Sequence, residues 1–599
     1  MVTPAVFKGV GKGLMKVAAI FAAIFLIYKI GNALLDPAEY RVFPVIGSRV
    51  FIWIFAQLHL MFAAFVLGVP MFAVIAEIIG IATKDKRYDN LAHEMTKLIA
   101  LAFTVTAVLG AIFLLGLLFL YPMFFERLTE IFKPTYYIYL AAAFGEVVYA
   151  YLYYYSWDHL QSPRGMKWLH VFCGIMLNVF GTAIMFAADS WASFMLSPEG
   201  VTAGGQVVSL AKAAMNLTWM PINIHRLLGN VAFGGFVVGA YAAVRFLTSE
   251  TAAEKKHYDW MGYVGNFIGI IGMIPLPFAG YWLSKEIYAF NQTMGISMMG
   301  GIFSWLFIIQ AILIAMLFIA GNYYLWIAMQ RIPGGERHQA SIKYLVAVIF
   351  ACFAIWMTPH TIPLSAKETA LIGGAHHPLV GIFGVMSAKM TAVNIAILAT
   401  FMSFMMYYSA NKQMEGSGAA VGKYIVRAVY LAAAALVVYI GVKGYYVSSE
   451  IRVERLSPMQ VGVVLGAMFL VLATTLITER VAKARTLGEI RWGEMPDRSQ
   501  YALILMAVTI TLLMGLMGYL RSALRQNYHF YAVLKDTSAD AFTPTLGYAS
   551  NVIAVTVLIF YALVIGIFWL GLRGEKKSGA AALTNSDAAL PHDDARSPA

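Results

Sequence analysis

The feature that most constrains this chain is the recurrence, from one end to the other, of apolar runs twenty residues long or longer. About 20 apolar residues cross a bilayer as a helix, and lipid leaves a spanning backbone no hydrogen-bond partner but itself. The runs predict an all-α polytopic membrane protein of about fourteen spans. They lie near residues 14–35, 47–81, 96–121, 135–156, 167–196, 220–247, 258–283, 295–330, 343–361, 378–408, 424–446, 459–478, 500–520 and 550–572. Of the 599 residues, 60% are apolar and only 12% are charged, against about 25% charged in ordinary soluble domains. Soluble enzymes, nucleic-acid binders and disordered scaffolds are excluded, despite the net charge of +12. In a membrane protein such an excess belongs to cytoplasmic loops.

Placing the N-terminus in the cytoplasm puts Lys84, Lys86, Arg87, Arg164, Lys255, Lys256, Arg331, Arg337, Arg480 and Lys483 on inner segments, as the positive-inside rule requires. The first run follows Lys8, Lys12 and Lys16 like a secretory signal, but no small-x-small cleavage site precedes Asp36, so it reads as an uncleaved anchor. The expected organisation is an anchor over 1–40, a core over 41–410, a four-helix extension over 411–575, and a small, polar tail over 576–599 that is expected to be disordered.

Two cysteines, Cys173 and Cys352, both inside apolar runs, exclude a disulfide framework, Cys-ligated iron–sulfur clusters and Cys-x-x-Cys-His haem attachment. No Walker loop or dinucleotide fingerprint occurs in a strand–helix setting. Redox or metal chemistry would therefore fall to the twelve histidines. In the expected topology His225 and Met299 lie at similar depth, about 8 Å below the outer surface, and His59 and Glu146 about 16 Å below it, counting 1.5 Å per residue. Asp189 and His360 approach the same surface, and His376 and His377 follow in an outer loop. Ionisable groups inside spans are functional candidates by default. A His and a Met on different helices suit six-coordinate haem, and a lone His beside a carboxyl suits a gas-binding haem. The bland reading is that each imidazole donates to a neighbouring helix carbonyl.

Five stretches carry a resemblance. SRVFIWIFAQLHLMFAAFVLGVP, AAFGEVVYAYLYYYSWDHL, FGTAIMFAADSWASFMLSP, NIHRLLGNVAFGGFVVGAY and ISMMGGIFSWLFI occur in this order. They resemble helices of subunit I of the cytochrome bd-type oxidases, and the resemblance covers roughly residues 45–408. It implies that His59 is the axial ligand of a high-spin haem and that Glu146, Trp157 and Asp158 match a buried Glu and terminal Trp-Asp. It further implies that Asp189-Ser190-Trp191 stands for an Asn-Gly-Trp, and that His225 with Met299, or its neighbour Met298, holds a low-spin haem. The implied activity is that of a bacterial inner-membrane respiratory oxidase. Electrons from quinol would pass through two or more haems of b type, one of them open to being haem d, to dioxygen. Proton uptake from the cytoplasm would contribute to the membrane potential, and further membrane subunits are expected.

The departures are specific. The family's long hydrophilic quinol loop is replaced by LSKEIYAFNQTM, which leaves quinol or a periplasmic cytochrome c as donor. The Gly-Arg-Gln-Pro-Trp segment reads Gly374-Ala375-His376-His377-Pro378, a second buried Glu is replaced by apolar residues near Leu114, and a late ligand Glu has no match, so that His360 stands as its substitute. His360, His376 and His377 together would suit copper, although an outer-loop His pair is more often simply solvated. Lys389, about a dozen residues into its predicted span, calls for a counter-charge such as a haem propionate. His170 and His93, on the cytoplasmic side, are either the start of a proton path or part of an interfacial belt around Trp168. The small residues of GNVAFGGFVVG permit close helix approach or leave room for a porphyrin face. Two alternatives remain: a haem electron conduit without oxygen reduction, and a proton-coupled transporter using Lys389, Glu146 and Asp189 as its relay.

Overall fold

The long apolar runs become long helices in the computed structural model, which describes residues 4–34, 38–160, 164–362, 378–539 and 548–566, with Lys367, Ala370, Leu371, Ala541 and Trp569. In chain order the long helices are α1 (Pro4–Leu34), α2 (Ser48–Thr83), α3 (Lys86–Leu120), α4 (Pro122–Tyr155), α5 (Arg164–Leu196), α6 (Trp219–Thr248), α7 (Ala252–Met273) and α8 (Leu276–Phe290). They continue with α9 (Ser304–Ala328), α10 (Glu336–Trp356), α11 (Met386–Ser409), α12 (Ser417–Lys443), α13 (Ser457–Val481), α14 (Asp497–Leu524) and α15 (Tyr548–Gly566). Among the described residues, twelve helical segments are long and apolar enough to cross a membrane. The two other expected spans are helical as well. α4 falls short in hydropathy because tyrosines and Glu146 interrupt its apolar second half, while Glu126, Arg127, Glu130 and Lys133 occupy the first. The chain is thus a multi-pass helical membrane protein.

Local chemistry sets the helix boundaries. Asp85 caps α3, its carboxylate accepting from the Arg87 amide at 3.0 Å. Thr251 and Glu254 form a reciprocal capping box at the start of α7. Pro134 removes a backbone donor and crowds the preceding turn, and α4 departs from helical geometry at Phe132 (φ −108°, ψ 15°).

α6 is the centre of the molecule, packed by α2, α7 and α14. The glycines of GNVAFGGFVVG serve this packing. A Cβ at Gly235 would lie 2.5 Å from the Gly269 amide, and one at Gly265 would lie 2.6 Å from the Gly239 amide. The α6 and α7 backbones therefore meet where only small residues fit, and Gly234 similarly abuts Gly68 of α2. Helix α14, distant in sequence, fills the groove between α6 and α9, and Gln57 of α2 donates to the Met514 carbonyl at 3.1 Å. Helices α12 and α13 pack on each other and on α11. They leave Tyr424, Leu431, Phe469 and Leu470 exposed, as suits a lipid-facing or subunit-facing surface.

Candidate haem and proton sites

His59 projects from α2 onto α3. Its Nδ1 lies 3.0 Å from the Thr106 carbonyl, which can only accept, so Nδ1 carries the proton and Nε2 keeps a free lone pair. One turn further along α3, a Cβ at Gly110 would lie 2.9 Å from His59 Cε1. Glycine there lets the ring lie flat against the helix. A fixed tautomer, with the other ring N–H given to a backbone carbonyl, is the usual setting of an imidazole metal ligand.

His225 stands near the N-terminus of α6 with its ring against α8. A Cβ at Gly280 would lie 3.5 Å from its Cδ2 and Nε2. It has no hydrogen-bond partner among the described residues, so both ring nitrogens are available to another group. The adjacent Arg226 forms an ion pair with Asp189 of α5. Asp189 is fully buried, and its second oxygen, Oδ2, has no partner.

Met298 and Met299 occupy a turn between the short helix Gln292–Ser297 and the 3-10 turn Gly301–Phe303. The residues following α10 fold back onto this turn: the His360 amide donates to the Met299 carbonyl at 2.7 Å, and the Gly301 amide donates to Thr361 Oγ1 at 2.5 Å. His360 Nδ1 is 2.5 Å from the Gly384 carbonyl, which again leaves Nε2 as the free nitrogen. The structure thus brings Met299 and His360 together through backbone contacts.

Lys389 differs in position from the sequence expectation. The span expected over 378–408 is broken at Gly384 and Val385, and α11 starts at Met386. Lys389 therefore sits in a first helical turn rather than deep in a continuous helix. It is 1% exposed, its Nζ lies 4.2 Å from the Phe307 ring centroid, and that nitrogen has no hydrogen-bond partner. An unpaired buried ammonium at a helix N-terminus is doubly unfavourable until an anion reaches it.

Glu146 faces α5, where a Cβ at Gly181 would lie 2.8 Å from its Oε1 and 2.7 Å from Leu67 of α2. It has no hydrogen bond or ion pair among the described residues. Leu67 is eight residues from His59, so Glu146 lies about 12 Å along α2 from the level of that imidazole. Asp158 is exposed in the short helix Trp157–Leu160. His376 and His377, and with them the copper expectation, lie outside the described residues. Among the described residues no three His, Cys, Asp or Glu side chains cluster as a metal site would need.

Two groups escaped the sequence reading. Glu77, inside the run FAVIAEIIG, is fully buried and bonded to His170 and Tyr153. Asp259 and Arg331 form an ion pair exposed by 0% and 2%, closed by the Gly493 amide at 2.7 Å and by the Trp492 ring, 4.5 Å from the guanidinium. A charge inside an apolar run was the available signal for Glu77. The partners come from distant helices and carry no local mark.

Parts of the chain are similar to known proteins. Residues 48–305 match the family described as cytochrome bd terminal oxidase subunit I. A curated relative, the putative cytochrome bd menaquinol oxidase subunit I of Bacillus subtilis (strain 168), is 27% identical over 203 residues, 33% of this chain. The match spans 44% of that relative, less than half its length. The bd oxidase structure from Geobacillus thermodenitrificans is similar with a TM-score of 0.45 at 14% identity, over 88% of this chain and 98% of that one.

Proposed function

Because residues 48–305 match the cytochrome bd terminal oxidase subunit I family, we propose that this chain is a membrane oxidase subunit. It would pass electrons from quinol or a periplasmic cytochrome c to dioxygen and draw the protons from the opposite face. Bound haem would supply one-electron transfer and dioxygen binding. His59 would hold one haem through Nε2; His225, with Met299 or Met298, would hold a second; His360 would face a further one. Two or more haems b are expected, with haem d as an option for one.

The single observation that carries this reading is the setting of His59. Its tautomer is fixed by Thr106, its ring is admitted by Gly110, and it lies inside the segment that matches the family. Glu146, unpaired and offset from His59 along α2, serves as the proton donor to the reacting centre rather than as an iron ligand. Asp189 acts as the counter-ion of Arg226 beside His225. That pairing also weakens the transporter reading, in which Asp189 would have to exchange protons freely. Lys389 would meet a carboxylate of the bound group.

The donor is the less constrained part. In place of a hydrophilic quinol loop, the chain continues α8 to Phe290 and turns directly into Gln292–Ser297. The test is oxygen uptake by the purified protein, measured separately with menaquinol and with reduced cytochrome c. Uptake with either supports an oxidase and names the donor. Intact haem bands with no uptake from either would leave the electron-conduit reading in its place.

A further inference from the structure

At the end of the bundle opposite His225, three helices bring together three side chains that are 0% exposed: Glu77 of α2, Tyr153 of α4 and His170 of α5. His170 Nδ1 lies 2.8 and 3.0 Å from the two Glu77 oxygens. Its Nε2 lies 2.8 Å from the Tyr153 carbonyl, and the Tyr153 hydroxyl donates to Glu77 at 3.1 Å. A carbonyl can only accept, so Nε2 is protonated. The contact between Nδ1 and Glu77 then holds one further proton, which sits on either partner without any heavy atom moving. We propose that Glu77, His170 and Tyr153 form a proton-holding station on an uptake path that runs along the α4–α5 seam to Glu146; this rests on the oxidase reading above.

The station has an entrance. Lys167 and Asp89 pair at 2.7 Å with side chains 12% and 26% exposed. Lys167 is one turn from His170, and a Cβ at Gly80, one turn from Glu77, would lie 2.6 Å from Asp89 Oδ1. A solvent-touching carboxylate therefore meets residues one helical turn from both the acidic and the basic member of the station.

It also has an exit. Tyr153 and Glu146 are seven residues apart on α4, and the glycines that admit them on α5, Gly174 and Gly181, are also seven residues apart. The matched spacing lays the two sites about 10 Å apart along one helix seam. Between them Asn178 presents a buried side-chain oxygen with no partner, a group of the kind that ordered water normally satisfies. Other titratable groups that act on the station are His93 on α3 and Cys173 on α5, with Lys97, Glu94 and Asp158 acting in turn on His93. In each turnover of the station one proton enters from the Asp89 side and one leaves toward Glu146, and the hydrogen-bonded set is restored.

A purely structural triad would tie the three helices and do nothing else. The full-chain protein distinguishes these roles when oxygen is mixed with the reduced form in weakly buffered solution containing a pH-indicator dye. Glu77→Gln and His170→Gln are expected to slow proton uptake about tenfold or more with the haem spectrum unchanged, and Glu77→Asp to restore most of the rate. Wild-type uptake kinetics in both Gln variants would overturn the proposal. Should Glu77→Gln fail to fold, the Asp variant and His170→Gln carry the same comparison.

A preparation without haem would defeat the oxidase reading but still test the station, through its infrared carbonyl-stretch region. A deuterium-sensitive carboxyl band that titrates with pH, disappears in Glu77→Gln and shifts in His170→Gln supports the station. Absence of such a band at every pH overturns it.

Discussion

The two ends of the helix bundle differ in which buried charges they leave without a partner. At the end formed by the close of α2 and the starts of α3, α5 and α7, acid meets base from within the chain: Glu77 with His170, Asp89 with Lys167, Asp259 with Arg331. At the other end, polar atoms are left waiting. Lys389 Nζ, Arg452 Nε and Asp189 Oδ2 are buried without partners, and His225 makes no hydrogen bond among the described residues. Buried polar groups are normally satisfied, and each exception calls for a cause. The first end is thus the more nearly finished by folding, although Arg331 Nε and Nη2 keep no partner there; the waiting end pairs Asp189 with Arg226 and Arg49 with Asp536 but strands the Lys389 ammonium.

The largest effect expected from breaking this contrast is at His225. Its replacement by Ala should abolish the low-spin haem signal while leaving the helical content unchanged, as read by reduced-minus-oxidised spectra beside circular dichroism. Next comes Asp259→Asn at the finished end, which strands Arg331. Removing one member of a buried pair costs about 3–5 kcal/mol, to be seen as early loss of helix in thermal or denaturant unfolding.

Lys389→Met sharpens the comparison because its sign depends on occupancy. In haem-free protein, deleting an unpaired buried ammonium should stabilise by about 1–3 kcal/mol. In haem-loaded protein the same change should weaken haem retention. Stabilisation in both states would remove Lys389 from the site.

The smallest effect is a pH dependence in the small cap that follows α14, a hairpin in which Tyr528–Phe530 pairs with Leu534–Lys535. Burial, reinforced by Arg525 and Arg49 and opposed by Asp536, pushes His529 down to about 4. The unfolded imidazole takes up its proton near pH 6.5, so between there and about 4 the unfolded state binds more protons than the folded one. This part of the cap's stability is present above pH 6.5 and is lost as pH falls toward 4. Protection of residues 528–536 against hydrogen exchange, corrected for the intrinsic rate at each pH, should fall across that window in the wild type and stay constant in His529→Gln.

Much of the architecture is written in local sequence. Apolar length gave the helices and the short polar loops gave their boundaries. The glycine spacing of GNVAFGGFVVG announced a close crossing, although only the partner glycines on α7 decide that it is used for packing. What resisted reading was tertiary. No periodicity places α14 in the groove between α6 and α9, breaks the expected tenth span at Gly384, or folds His360 onto the Met299 turn. At the site, imidazoles inside apolar runs were conspicuous. Glu77 carried a weaker signal, because one carboxylate toward the end of an apolar run reads as interfacial until His170 and Tyr153 are seen closing on it.

The central claim is that histidine and methionine side chains at the waiting end grip haem iron. Near-infrared magnetic circular dichroism of the oxidised protein reads axial ligands directly. A histidine–methionine signature is expected that survives Asp259→Asn in whatever fraction folds, and that is lost in His225→Ala and in the Met298→Leu, Met299→Leu double variant. A folded preparation without haem bands, or a signature unchanged by those substitutions, would contradict it.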